Sequence, residues 1–150
     1  MTLSRSKSAE KLNQFPGIAF DDPAAMGQRG QWSQFFRRRI GERFDGRIIV
    51  EVGCFDAAYL CRIATKFPGT AFVGLDWKCK AIVDGAVRVV DQNLNNVALV
   101  RARGQDLLKI FGEAAIDHVW IFHPDPFAGA HELKNRLIAG PFLQDAHVAL

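Results

Sequence analysis

The chain has 150 residues, 49% of them hydrophobic and 23% charged, with a formal net charge of +3. That is enough for one domain with its own core, and so mild a charge does not by itself demand a polyanionic partner. No run of about 18 apolar residues and no apolar N-terminal stretch occur, so neither a membrane span nor a secretory leader is expected, and the cytoplasm is the expected compartment.

Residues 1–30 are polar, contain the breakers Phe15-Pro16-Gly17 and Asp21-Asp22-Pro23, and hold no sustained period. They read as a flexible arm followed by one domain over 31–150. From 31 to 43, Trp32, Phe35, Phe36 and Ile40 recur at helical spacing. The arginines of that helix, Arg37, Arg38 and Arg39, stand close to Arg43 and Arg47 and read either as phosphate contacts or as a solvated face. Asp45-Gly46 ends the helix, and a regular alternation begins. Short runs rich in β-branched residues predict strands over 48–52, 71–75, 97–101 and 116–122. Between them, apolar residues at i, i+3 and i+4 predict helices over 57–67, 78–93 and 105–111, and 131–150 reads as mostly helical.

Strands alternating with helices at this spacing predict a doubly wound, Rossmann-like α/β domain with a parallel sheet covered on both faces. Ligands on such sheets sit at the carboxyl ends of the strands, which directs attention to the loops after Val52, Leu75, Arg101 and Phe122. Cys54, Cys61 and Cys79 are odd in number and lack C-x-x-C spacing, so they read as reduced thiols. His123 and His131 lack a third ligand at suitable spacing, and no metal site is expected. Trp32, Trp77 and Trp120 read as packing residues.

The loop after the first of these strands runs Glu51-Val52-Gly53-Cys54-Phe55-Asp56-Ala57. Gly53 permits a sharp turn into the next helix, but neither G-x-G-x-x-G nor a G-K-S/T phosphate loop is present, which points away from a phosphate-rich ligand. The second of these strands ends in Gly74-Leu75-Asp76, a carboxylate placed either to accept bonds from ribose hydroxyls or to cap the following helix. An adenosine without pyrophosphate suits both loops, and S-adenosylmethionine is such a molecule. The last loop, His123-Pro124-Asp125-Pro126-Phe127, holds one carboxylate between two prolines, as a rigid active-site group or as a structural turn.

Taken together, Glu51-Val52-Gly53, Gly74-Leu75-Asp76, Asn96-Val97 and His123-Pro124-Asp125-Pro126-Phe127 resemble the E-I-G-x-G, G-I-D/E, N-V and F-P-D-P-W segments of the tRNA (guanine-N7) methyltransferases, in the same order, over residues 47–143. The resemblance implies a class I methyltransferase sheet without its last strands, and S-adenosylmethionine as cofactor. It implies that Glu51, Gly53, Asp76, Gln105 and Asp125 hold the cofactor and that Asp125 is catalytic. It also implies tRNA as partner, met by Lys134 and Arg136. Phe55 and Ala57 stand where the family has its second and third glycines, Arg103 where it has an adenine contact, with Gln105 or Asp106 as the nearest substitutes, and Gly129 where it has a substrate-contacting lysine. Two alternatives remain: the same fold acting on a small molecule or a protein, and a non-catalytic relative that binds a partner or itself through an open sheet edge.

Overall fold

Short aliphatic runs separated by amphipathic helices set the frame, and a computed structural model, which describes residues 5–124 and 136–150, gathers five of them into one parallel sheet. In chain order the elements are α1 (Arg5–Leu12), β1 (Ala19–Asp21), α2 (Asp22–Gly27), α3 (Trp32–Ile40), β2 (Ile48–Val52), α4 (Ala58–Lys66), β3 (Ala71–Asp76), α5 (Cys79–Asp91), β4 (Val97–Arg101), α6 (Leu107–Phe111), β5 (His118–Trp120) and α7 (Gly140–Ala149). Short 3-10 turns, Gly41–Arg43 and Gly104–Asp106, close α3 and open α6.

The strand order is β1-β4-β3-β2-β5. Side chains alternate across the sheet because the strand period is two. Ile48, Val50 and Val52 of β2, with Ala71, Val73 and Leu75 of β3, enter a core shared with Trp32, Phe36, Phe111 and Phe142. Ile49 and Phe72 face the opposite core, built with Leu12, Leu60, Ile82 and Val89. Helices therefore cover both faces, and the fold is the doubly wound α/β class expected. On the first face Trp32 packs among Phe20, Phe35, Phe36 and Phe111, edge to face with the first two and stacked on Phe36, and its indole N–H donates to the Ile110 carbonyl at 3.0 Å. A buried tryptophan needs such a partner.

The N-terminal region differs from the flexible arm expected over 1–30. Within its described part, from residue 5, α1 seals one core with Leu12, and β1 pairs with β4, Ala19 opposite Leu99 and Asp21 opposite Arg101. The apparent breakers are punctuation. Gly17 takes φ +72° in the turn between α1 and β1, and Asp21 is the N-cap of α2, accepting the Ala24 N–H at 3.0 Å with Pro23 in the first turn. A three-residue edge strand is too short to show a period, and its partner lies about eighty residues away in sequence.

Smaller differences concern element ends. β5 is shorter than 116–122, because the Ile116 N–H already bonds the end of α7 at Ala149 and Asp117 bonds Ile48 on both its N–H and its carboxylate. In the expected helical region 131–150, the described helix starts at Gly140 with Pro141 in its first turn, residues 136–139 are non-helical, and 131–135 lie outside the described residues.

Candidate functional site

Strand order reverses between β2 and β5: the chain moves from β2 outward through β3 to β4, then crosses to the other side of β2. A crevice at the carboxyl ends is the consequence of that reversal. Glu51, next to last in β2, lies there opposite Gly74 and beside Trp120 of β5.

Glu51 is only 6% exposed, and among the described residues its Oε2 has no hydrogen-bond partner. Burial pushes its carboxyl up to about 7. An ionised oxygen left without a donor in a low-dielectric site is costly, so it marks a place where a cation or donor from outside would be welcome. The buried Nε of Arg101, at the end of β4 and opposite Asp76 in the ladder, also lacks a partner among the described residues.

Asp76 organises the neighbouring loops. Its Oδ2 accepts the Phe55 N–H at 3.1 Å and its Oδ1 accepts the Lys78 N–H at 2.8 Å. Its carbonyl accepts the Ala102 N–H at 3.1 Å, tying the exit of β4 to the exit of β3. The N-cap of α5 is Lys78, so Asp76 shapes the turn before the helix rather than capping it. Each carboxylate oxygen spends one acceptor position on backbone and keeps another for a ligand.

Gly53 takes φ +80°, and the N–H groups of Gly53 and Cys54 both bond the Leu75 carbonyl, at 2.8 and 3.0 Å. This bends the loop back over the end of β3. Beyond it, Asp56 accepts the Ala58 N–H at the start of α4 and pairs with Arg88 of α5 at 2.9 Å.

Gln105 is exposed in the 3-10 turn after β4, whereas the neighbouring Asp106 is engaged by Lys109 at 2.8 Å. A Cβ on Gly104 would come within 2.6 Å of both Val52 and Leu137, so its absence lets this turn and the segment at Leu137 close over the end of β2. Arg136 is carried to the same end by its neighbour Leu137. The strand ends thus bring together Glu51, Gly53, Asp76 and Gln105, with Arg136 exposed in the segment just before Leu137. Asp125 and Lys134 lie outside the described residues.

A match now bears on this arrangement: a family model described as "Putative methyltransferase" covers residues 45–150. The chain belongs to that methyltransferase family. A tRNA (guanine-N(7)-)-methyltransferase of Cytophaga hutchinsonii is 32% identical over 109 residues, covering 73% of this chain and 47% of the relative. A solved methyltransferase described as antibiotic-related superposes with a TM-score of 0.60 at 19% identity, covering 78% of this chain and 58% of its own. A SAM-dependent methyltransferase from Aquifex aeolicus gives 0.54 at 15% identity, covering 99% of this chain and 68% of its own. At such identities the structural likeness shows the fold. The chain spans about half the length of the curated relatives it matches.

In this methyltransferase loop, Phe55 and Ala57 adopt φ +51° and +55°, the left-handed region that glycine enters freely. The backbone keeps a glycine-type path although the residues are not glycine. It is held there by the Phe55 bond to Asp76 and by the Ala57 N–H bonding the Cys54 carbonyl at 2.9 Å.

Two readings of the sequence need correction. The arginine run of α3 lies at the other end of the sheet: Arg39 donates to the carbonyls of Gly17, Leu94 and Val97, the last at the start of β4, and burial lowers its pKa. It is a structural clamp, while Arg37 lies over the Phe44 ring and Arg38 is exposed. Trp77 is no packing residue; it is 56% exposed beside Asp76. A pair the sequence reading did not single out, Tyr59 and Phe122, meets edge to face at 5.0 Å near the end of β5. The helical spacing of Tyr59 and Arg62 was the available signal.

Proposed function

We propose that this chain is an S-adenosylmethionine-dependent methyltransferase that acts on N7 of a guanine in tRNA. The observation that carries the cofactor is the buried Oε2 of Glu51, without a partner among the described residues, beside a locked Asp76. A cofactor with an ammonium, a sulfonium and a ribose diol, and no phosphate, offers what those two carboxylates lack. The tRNA substrate rests on the likeness to the Cytophaga hutchinsonii relative and to others of the same description.

When bound, S-adenosylmethionine supplies a methyl group on a positively charged sulfur. The chain's residues position and neutralise. Asp76 receives ribose hydroxyls on its remaining acceptor positions, Glu51 stabilises the cationic end, and Gln105 provides an amide for the adenine edge. Guanine N7 already carries a lone pair, so no side chain has to remove a proton before transfer, and alignment provides most of the acceleration. The product ring is cationic, and Asp125 is the carboxylate assigned to stabilise that charge. Lys134 and Arg136 are assigned to RNA phosphate.

Calorimetric titration of the chain with S-adenosylmethionine tests the cofactor. Micromolar binding that is lost in Asp76→Ala is expected, and a folded chain that binds nothing overturns the reading. Glu51 titrating near 7 adds a sign. The carboxyl must lose its proton to meet a cation, so affinity rises about fivefold from pH 6 to pH 7 by one-proton linkage, and Glu51→Gln shows no such rise. Mass spectrometry of a tRNA transcript after incubation with chain and cofactor then tests the substrate. Cofactor binding without 7-methylguanine would leave the cofactor and remove the tRNA.

A further inference from the structure

The proposed reaction needs an RNA surface beside the carboxyl ends of the strands, and the arginine run of α3 lies at the other end. The outer flank of α4 supplies one at its first turn and continues from there toward the amino ends. Tyr59, Arg62 and Lys66 stand at i, i+3 and i+7 on α4 and share one helix face. All three are exposed. Tyr59 packs edge to face on Phe122, the residue that leads from β5 toward Pro124, and the two rings are 42% and 46% exposed. Phe122 rests in turn on Trp120 at 5.8 Å, and Trp120 on Phe72 at 5.9 Å, so the exposed pair is anchored to the sheet rather than loose on the surface.

The charges point the same way. The Arg62 guanidinium lies over the Tyr59 ring at 5.5 Å, a contact that limits its motion while leaving its donors outward. Among the described residues neither Arg62 nor Lys66 forms a salt bridge, whereas Arg47, Lys80, Arg88 and Lys109 each pair with an aspartate. Along a helix, Tyr59 to Lys66 spans about 10 Å. An aromatic shelf at the strand ends followed by two uncompensated cations down one flank suits an unpaired base and the phosphates that follow it.

We propose that Tyr59 and Phe122 form a stacking shelf for an unpaired nucleobase of the RNA substrate, and that Arg62 and Lys66 hold its flanking phosphates. This rests on the tRNA reading above and names a contact surface for it. The shelf lies on the α4 side of the crevice, next to the loop that leads to Asp125, so RNA held there is delivered across the end of β5 and not along α3.

The test is the affinity of the full chain for an unmodified tRNA transcript, measured by fluorescence anisotropy over a salt series, for wild type and three variants. R62Q/K66Q is expected to bind roughly tenfold more weakly, with a salt slope reduced in magnitude by about 1.5. Tyr59→Leu, which keeps apolar contact with Phe122 but removes the ring, is expected to lose about tenfold with the slope unchanged. R37Q/R38Q removes the same charge from α3, which packs on the opposite face of the sheet from α4, and is expected to bind like wild type. Titration with S-adenosylmethionine reports whether each variant keeps its fold. If wild type binds the transcript and R62Q/K66Q binds it equally well, the shelf is overturned and the tRNA reading stands. If R37Q/R38Q loses as much as R62Q/K66Q, the effect is net charge alone and the proposal fails. If wild type itself does not bind, the tRNA reading fails first.

Discussion

The two ends of the sheet handle buried polar groups in opposite ways. At the amino end, Asn96 is buried, and its Nδ2 donates to the carbonyls of Ala64, Phe67 and Thr70, each at 3.0 Å. Thr70 donates to Asp45, which also accepts from Arg47, and Arg39 serves three further carbonyls. At the carboxyl end, Glu51 is buried to a similar degree and its Oε2 has no partner among the described residues. A satisfied network adds to stability and specifies one packing, while an orphaned carboxylate subtracts from it and is retained where a ligand completes it. Asn96 illustrates the difference: the family resemblance drew attention to it beside the loops of the site, yet it works as a structural tie at the start of β4.

That contrast can be broken most severely at Asn96. Asn96→Ala removes the side-chain donor shared by the Ala64, Phe67 and Thr70 carbonyls, the first two of which keep a backbone N–H, and is expected to cost about 2 kcal/mol in urea unfolding. Arg39→Gln is expected next, at roughly 2 kcal/mol, because it strips donors from Gly17, Leu94 and Val97.

Glu51→Gln has the opposite sign. An unfolded glutamate titrates near 4.5 and the folded one near 7, so the native state holds the extra proton between those values and stability falls as pH rises through that window. The variant removes that fall and is expected to be more stable than wild type at pH 8 by on the order of 2 kcal/mol, with little difference at pH 4. A variant less stable at pH 8 would mean that Oε2 has a donor in solution.

The smallest expected effect sharpens the picture of the loop. Phe55 is 59% exposed at φ +51°, so Phe55→Gly loses little burial, and relief of strain is offset by the greater freedom of the unfolded chain. Thermal unfolding is expected to shift stability by less than about 1 kcal/mol, while S-adenosylmethionine binds more tightly if the ring obstructs the loop.

How much of this was legible follows from what sequence patterns report. The strands at β2, β3 and β4 and the amphipathic helices between them announce themselves, because burial on one face imposes a period of 2 or 3.6 on neighbouring residues. The strand-end placement of Glu51 and Asp76 and the turn at Gly53 were also legible, since a strand end followed by a turn has few ways to place its residues. β1 was not, because three residues carry no period and its hydrogen bonds come from β4. Arg39 misled for a related reason: an arginine in a run looks the same whether it faces solvent or three carbonyls.

Local pattern therefore determined the α/β alternation, the inward helix faces and the chemistry of the strand-end loops. Tertiary structure decided which polar groups are satisfied and which are left open. Arg39 finds Val97 across 58 residues and Trp32 finds Ile110 across 78, and no periodicity reaches that far. The orphaned oxygen of Glu51 and the meeting of Tyr59 with Phe122 belong to the same class. Burial and partnership are properties of the assembled sheet, set when β5 crosses to the far side of β2 and closes the crevice around them.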